Sequence, residues 1–473
     1  MQKQRRTCGF SVTMTVVLML FTTSIEQAQQ APATPLNIGQ AVDSALRNYP
    51  AVAVSQEQVN AAAAGIDLAR TAYLPRVDTL AQVNRATRNN IFGLYFPTGV
   101  FTTGVIPAIS GPVLGTNNFG TVWGSAVGAF VTWEPFDFGL RRANVSAATA
   151  ARTRTQATLK RTQFDVAAAT ADAYLTLAAA QETVRAAQAG VDRAEVLVRA
   201  VRAQADAGLR PGADLSRAEA ELAAARTQLS RAQQATEVAR AVLAQFVGVD
   251  PNQITLAAPK LLQLPPSLTT PQFNTAVNPI AVEQNAAVEQ AKAQLNALDK
   301  SYYPRFSTQG AAYSRGTGAE LNGSRLGGLN GLAPNFQNYA LGLTVTFPIL
   351  DLPSIRAKQA NQSAIVRSET ARYQQVTIDL TARWNEASAV LEGSRKIAAD
   401  TPVQVSAANA AVQQASARYE AGLGNIVDVA DAQRLLTQAE IDDALARLGV
   451  WRGLLGVAIA AGDVQPFINE VGP

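Results

Sequence analysis

Between residues 214 and 247 the apolar positions recur at alternating spacings of three and four. They are Leu215, Ala218, Leu222, Ala225, Leu229, Ala232, Thr236, Ala239, Leu243 and Phe246. This rhythm is a heptad seam, and alanine at every second position lets a neighbouring helix approach closely. The segment before it, 137–206, has no proline and only one glycine (Gly190) beyond Gly139. At about 1.5 Å per residue it predicts a helix on the order of 100 Å long. That length suits a coiled-coil wall and exceeds an ordinary globular helix. Ala207 to Gly212 would turn the chain between the two helices.

Elsewhere the period falls to two. Tyr339, Leu341, Leu343, Val345 and Phe347 alternate with Asn338, Ala340, Gly342, Thr344 and Thr346. Trp123, Val127, Ala129, Val131 and Trp133 share a face opposite Gly124, Gly128, Thr132 and Glu134. Strands are predicted at about 76–87, 121–134, 305–315 and 337–347, with Gly/Pro/Asn-rich loops at 88–120 and 316–335. An apolar face with aromatics at both ends predicts a lipid-facing strand between two interfacial girdles, marked by Trp123, Trp133, Tyr339 and Phe347. Trp123 to Trp133 would span about 33 Å of strand, or about 25 Å of height when tilted. The opposite face reads as small and polar, suited to a water-filled lumen. A soluble sheet packed on the helices is the alternative.

The chain is duplicated. Ala207-Gly208-Leu209 leads to Asp214 as Ala421-Gly422-Leu423 leads to Asp428, an offset of 214 that also relates Asp137 to Asp351 and Gly248 to Gly462. Pro50 and Pro75 match Pro279 and Pro304 at an offset of 229. The predicted plan begins with a leader at 1–28, then a linker and short helix at 29–48. A first repeat at 49–248 contains the helices 137–206 and 214–247. A proline-rich linker at 249–278 leads to a second repeat at 279–462 with helices 351–420 and 428–461, and a tail at 463–473 closes the chain. Gly393 and Thr401-Pro402 are expected to kink the long second-copy helix. Four strands leave two open edges and fall short of the smallest barrels. The expected fold is mainly helical, with long antiparallel coiled-coil helices forming a wall. Four strands from each of three copies would close a twelve-stranded transmembrane β-barrel.

Composition narrows the chemistry. Residues 1–28 read as a secretory leader, with Lys3, Arg5 and Arg6 before an apolar run from Phe10 to Phe21. Cys8 precedes that run, which argues against N-terminal lipidation. Beyond residue 28 the chain has no Cys, Met or His, which excludes thiolate and imidazole metal sites, disulfides and His-based triads. No cofactor or metal is expected. There, 37 basic residues face 35 acidic ones, too even a balance to suggest nucleic acid. No segment past the leader reads as long and apolar enough for a membrane helix, so membrane residence would require a barrel.

Tyr419-Glu-Ala-Gly422-Leu-Gly-Asn-Ile-Val-Asp428-Val-Ala-Asp431, its repeat partner at Ala207-Gly208-Leu209 with Asp214, and Pro75 and Pro304 before strands give the chain a resemblance to TolC-like outer membrane efflux proteins. It covers nearly the whole chain past the leader. The resemblance implies a homotrimeric exit duct in the outer membrane with a large periplasmic part, in which the long helices form an α-barrel that continues the twelve-stranded β-barrel. It would dock onto a periplasmic adaptor protein and an inner membrane transporter to export small toxic molecules or proteins. It further implies adaptor contacts at Gly208, Leu209, Gly422 and Leu423, and a periplasmic aperture of Asp428, Asp431, Asp214 and Tyr419. Asp214 and Asp428 also read as helix N-caps. Asp431, three residues past Asp428, would share its helical face, giving six carboxylates around a threefold axis. Tyr419 would latch the closed tip. The basic partner seen in the family falls on Gly424, leaving Arg418 or Arg210 as candidates. A passive duct with no catalysis is expected; the rivals are a periplasmic coiled-coil scaffold without a barrel and a carboxylate-based hydrolase.

Overall fold

A computed structural model of the chain describes residues 35–87, 120–208, 211–257, 259–265, 273–318, 320 and 325–472. The leader, Leu209 and the latch candidate Arg210 lie outside the described residues. Element order is α1 (Ile38–Asn48), α2 (Pro50–Thr71), β1 (Arg76–Thr87), β2 (Thr121–Phe136), α3 (Leu140–Asp206), α4 (Gly212–Val247), α5 (Pro279–Lys300), β3 (Arg305–Thr317), β4 (Phe336–Thr346), α6 (Leu352–Glu420), α7 (Ile426–Ala461) and α8 (Gln465–Val471). The order helix, two strands, long helix, shorter helix thus occurs twice.

α3 and α6 contain 67 and 69 residues, each about 100 Å of helix. α3 packs against α2, α4, α5 and α7, while α6 packs against α5 and α7. Every seam position from Leu215 to Phe246 is buried or half-buried, as its spacing predicts. Gly190 serves the crossing of α3 and α7: a Cβ there would lie 2.9 Å from Thr437 Oγ1. α6 is assigned as one helix through Pro402.

Two joints stack short helices on the ends of longer ones. α4 ends at Gly248 (φ 79), beside Asn48, whose side chain donates to Val247 O at 3.1 Å. α7 ends at Gly462 (φ 89), beside Asn278, which donates to Ala460 O at 3.2 Å. Glycine is needed at both because the chain turns left-handed there. At Gly462 an added Cβ would also stand 2.8 Å from the Asn278 amide. Carbonyls at each helix end thus receive a side-chain donor from a residue just ahead of a neighbouring helix, Asn48 before α2 and Asn278 before α5.

The largest core lies at this level. Leu175, Leu177, Leu243, Leu455 and Trp451 are fully buried with α1 residues Ile38 and Ala41. The tail at 463–473 forms α8 and inserts Phe467, Ile468 and Val471 into this core. Trp451 meets Phe467 edge-on at 6.3 Å and donates through Nε1 to Gln263 O in the proline-rich linker. Tyr174 Oη donates toward Leu36 O and Ala257 O, each at 3.0 Å, tying α3 to the chain on both sides of the bridge Leu36–Leu256. Burial pushes the Tyr174 phenol well above its ordinary value.

One expectation needs correction. An 18-residue window of α7 reaches a mean hydropathy of 1.4, enough by length and composition to cross a membrane. The apolar surplus has another use: α7 runs through the core, and 56% of that window is buried.

The four strands form one antiparallel sheet in the order β1-β2-β3-β4, leaving β1 and β4 as edges. Register carries the faces across: Val77 pairs with Val131, Val131 with Gly310, and Gly310 with Leu341. The two apolar faces predicted for β2 and β4 therefore lie on one side of the same sheet. Val83, Val127, Tyr339, Leu341 and Leu343 are exposed there. The opposite face is less uniformly small than its pattern suggests. Phe130 is buried on it and stacks with Tyr313, their centroids 6.4 Å apart, and Gly128 leaves room for the Tyr313 Cβ.

Candidate functional site

The tip where α3 turns into α4 and α6 into α7 is built by the glycines. Gly208 and Gly422 have φ 73 and 72, a conformation open to glycine at little cost. Gly422 N–H donates to Tyr419 O at 3.1 Å and Leu423 N–H to Arg418 O at 2.8 Å, the paired bonds of a Schellman ending. Gly208 N–H donates to Ala205 O at 2.9 Å, repeating the first of these bonds in the other copy. Leu423 is thereby thrown out to solvent, 74% exposed.

Helix starts differ from the expected caps. Helix α7 begins two residues earlier than expected, and its N-cap is Asn425, whose side chain accepts the Asp428 N–H at 2.9 Å. α4 begins at Gly212 after Pro211, which offers no side-chain acceptor. Asp214 and Asp428 both sit at the third helical position, so they meet the positive helix end as charges and not as caps. Asn425 is the cap because its amide oxygen stands just before the first turn, where it accepts an N–H that the helix leaves unpaired.

Tyr419 is buried among Val198, Val201, Ala218, Ile426 and Val429, a small core that locks all four helix ends. Its hydroxyl lies 3.4 Å from Asp214 Oδ2, joining the second hairpin to the first. Gly424 packs tightly on this turn: a Cβ there would stand 3.3 Å from Tyr419 N and from Arg418 Cβ. A side chain at 424 would therefore push on the turn itself. Asp428 and Asp431 are both exposed. Arg434 donates to Asp431 at 2.5 Å, a partner one helical turn along whose spacing was readable in the sequence.

The sheet end of the molecule is more aromatic than its strands predict. Trp133 is half-exposed and donates through Nε1 to Tyr73 O at 3.1 Å, so its polar edge is satisfied below the strand. Trp123 carries the Arg85 guanidinium over its ring at 5.1 Å. Tyr339 stands on the ladder through Ala312 to Ala129, six residues from Trp123. Below Trp133 the sheet shifts register, and Phe136, Phe138, Tyr303 and Phe306 gather with ring centroids 4.6–6.2 Å apart. Sequence reading missed this cluster because its members come from two distant stretches, where β2 runs into α3 and where α5 runs into β3, and the register shift breaks the period-two count.

Behind it, Asp137 and Arg141 form a buried ion pair at 2.8 Å, both side chains 9% exposed. The guanidinium also sits over the Tyr73 ring at 4.8 Å. Burial opposes the charge on Asp137, but hydrogen bonds from the Arg141 amide, its guanidinium and the Gly139 amide outweigh it. They hold the carboxyl below its ordinary range.

Among the described residues no group of His, Cys, Asp and Glu could hold a metal ion. A family profile described as outer membrane efflux protein matches residues 41–249 and 277–457, one stretch in each copy. The cobalt-zinc-cadmium resistance protein CzcC of Cupriavidus metallidurans is 28% identical over 309 residues, spanning 64% of this chain and 69% of that protein. The pyoverdine export outer membrane protein OpmQ of Pseudomonas aeruginosa is 24% identical over 62% of this chain and 60% of its own length. Among solved structures, the Campylobacter jejuni CmeC outer membrane channel superposes with a TM-score of 0.73 at 17% identity, covering 96% of this chain and 95% of CmeC. Long paired helices, a four-stranded sheet with one apolar face and a profile matched in both halves agree: the protein belongs to the outer membrane efflux protein family and is an efflux channel of the outer membrane with a large periplasmic part.

Proposed function

We propose that three copies close into one exit duct that works with a periplasmic adaptor and an inner membrane transporter. The observation that carries this reading is the sheet: four strands, one apolar face and two edges whose backbone groups need partners. Pairing β4 of one copy with β1 of the next keeps every neighbour antiparallel and gives twelve strands. The chain has no cysteine beyond residue 28, so engineered thiols report cleanly. A cysteine at Ala81 in β1, combined in turn with cysteines at Tyr339, Leu341 and Leu343 in β4, should yield a covalent trimer on oxidation or short crosslinking in outer membranes. Monomers alone at all three positions would overturn closure. A cysteine at Leu423 should crosslink to the adaptor in cells; loss of every adaptor adduct would overturn that contact and leave the barrel reading intact.

At the tip, Asp428 and Asp431 repeated about a threefold axis would make the closed aperture attract cations, with Arg434 partly cancelling Asp431. Charges about 10 Å apart in water change local ion concentration by a factor of about two per copy. In planar bilayers Asp428→Ala/Asp431→Ala should therefore reduce cation preference severalfold, while Arg434→Ala should raise it. Unchanged selectivity in both variants would remove the ring. Tyr419, with Asp214, would hold the two hairpins together in that closed state.

The cargo would be small toxic solutes, and the duct would select little. Relatives named for metal resistance and for pyoverdine export are compatible with hydrated cations or small chelators. Beyond residue 28 this chain has no imidazole, thiol or thioether to retain a soft metal on its way out.

A further inference from the structure

We propose that the periplasmic rim of the barrel binds an anionic phospholipid of the inner leaflet, with its phosphate on Lys300 and its acyl chains against Phe138, Tyr303 and Phe306. The proposal rests on the outer membrane placement and is continuous with the apolar face of the sheet. Phe306 pairs with Phe136 and Val345 on that same face. Phe136 (53%), Phe138 (40%) and Tyr303 (44%) remain exposed although their rings are packed on one another. Such a patch rigidly presents apolar area to something apolar.

Two features mark the rim as more than a strand end. Phe138 has φ 50, the one positive value at a non-glycine residue among those described. A bulky residue in this region carries strain of about 1–2 kcal/mol, which persists where the surroundings impose it. The Phe138 ring stacks on Tyr303 at 5.4 Å. The second feature is charge. Lys300, the last residue of α5, stands 5.7 Å over the Tyr303 ring. Its neighbour Asp299 instead accepts from Gln359 of α6 at 2.9 Å. A cation favours any helix C-terminus, which accounts for the sign of the charge. It does not account for an ammonium stacked on an exposed aromatic beside the apolar face of the sheet, the arrangement that suits a headgroup phosphate. Leu350 (94% exposed) and Ile349 continue the apolar rim on the second-copy side.

The test uses the full protein in discs of phosphatidylcholine containing a minority of phosphatidylglycerol, with co-purifying lipid measured by mass spectrometry. Wild type should enrich phosphatidylglycerol about fivefold over the bulk mixture, the scale of one lysine at an anionic surface. Lys300→Gln should bring the ratio to about one, and Lys300→Arg should retain it. Phe138→Gly exchanges the ring contacts for relief of the backbone strain; among molecules recovered folded in the outer membrane fraction it should retain less lipid of both kinds. Equal enrichment in wild type and Lys300→Gln, with both in the outer membrane fraction, would overturn the lipid site alone. Wild type missing from that fraction would overturn the placement beneath it.

Discussion

Replacing Trp451 with alanine should destabilise the helical part by about 3–5 kcal/mol, the range for removing a buried indole that its surroundings cannot collapse to fill. The ring is 2% exposed in the core where α1, α3, α4, α7 and α8 meet. Its edge contact with Phe467 holds α8, and its Nε1–H supplies a donor to Gln263 O in the linker between the copies. The alanine variant thus opens a cavity, loosens the C-terminal helix and strands a carbonyl together. Trp451→Phe separates these contributions. It keeps much of the volume and loses only the donor, so its cost should be nearer 1–3 kcal/mol. The check is the denaturant midpoint of helical circular dichroism for the three proteins in one detergent. A Phe variant as unstable as the Ala variant would mean that the linker bond, and not the packing, fixes this core.

The core around Trp451 also marks the limit of what local periodicity encodes. The heptad seam, the long proline-free helices and the alternating strands were legible because each repeats a local period over many residues. The seam positions Ala218, Ala232, Thr236, Ala239 and Leu243 are all buried. α8 was not legible: Phe467, Ile468 and Val471 are too few to display a helical period, and only the surrounding core explains their burial. At the tip, the glycines were read correctly because the left-handed turn is a backbone demand written in one residue type. The N-caps were misassigned because Asp214 and Asp428 carry the more familiar charge, whereas the chain leaves the turn two residues before each of them. Partners were harder still. Arg434 lies within one helical turn of Asp431 and could have been named from spacing. The approach of Tyr419 to Asp214 spans 205 residues and depends on how two hairpins pack.

The duplication offers an internal control for the strongest electrostatic feature. Asp137 and Asp351 correspond by offset, each just past a strand and at the head of a long helix. Asp137 is buried against Arg141, whereas Asp351 is exposed and makes no side-chain bond to its helix start. Asp137→Ala should leave a guanidinium buried with only the Ala72 carbonyl and the Tyr73 ring, costing about 3–5 kcal/mol. Asp351→Ala should change stability by about 0.5 kcal/mol or less. The two variants remove the same group at matched places, so the contrast isolates burial from position. pH gives a second reading of the same pair. The folded-state carboxyl of Asp137 is lowered, so its stabilisation is fully present above the unfolded value of about 3.9 and is lost as pH falls through the lower folded value. The gap between wild type and Asp137→Ala in thermal midpoint should therefore be constant near neutrality and narrow toward about pH 3, while the Asp351→Ala gap stays small throughout. A gap that instead widened on acidification would mean that Asp137 is held protonated by its burial. The junction between barrel and tube would then rest on a neutral hydrogen bond to Arg141 and not on an ion pair.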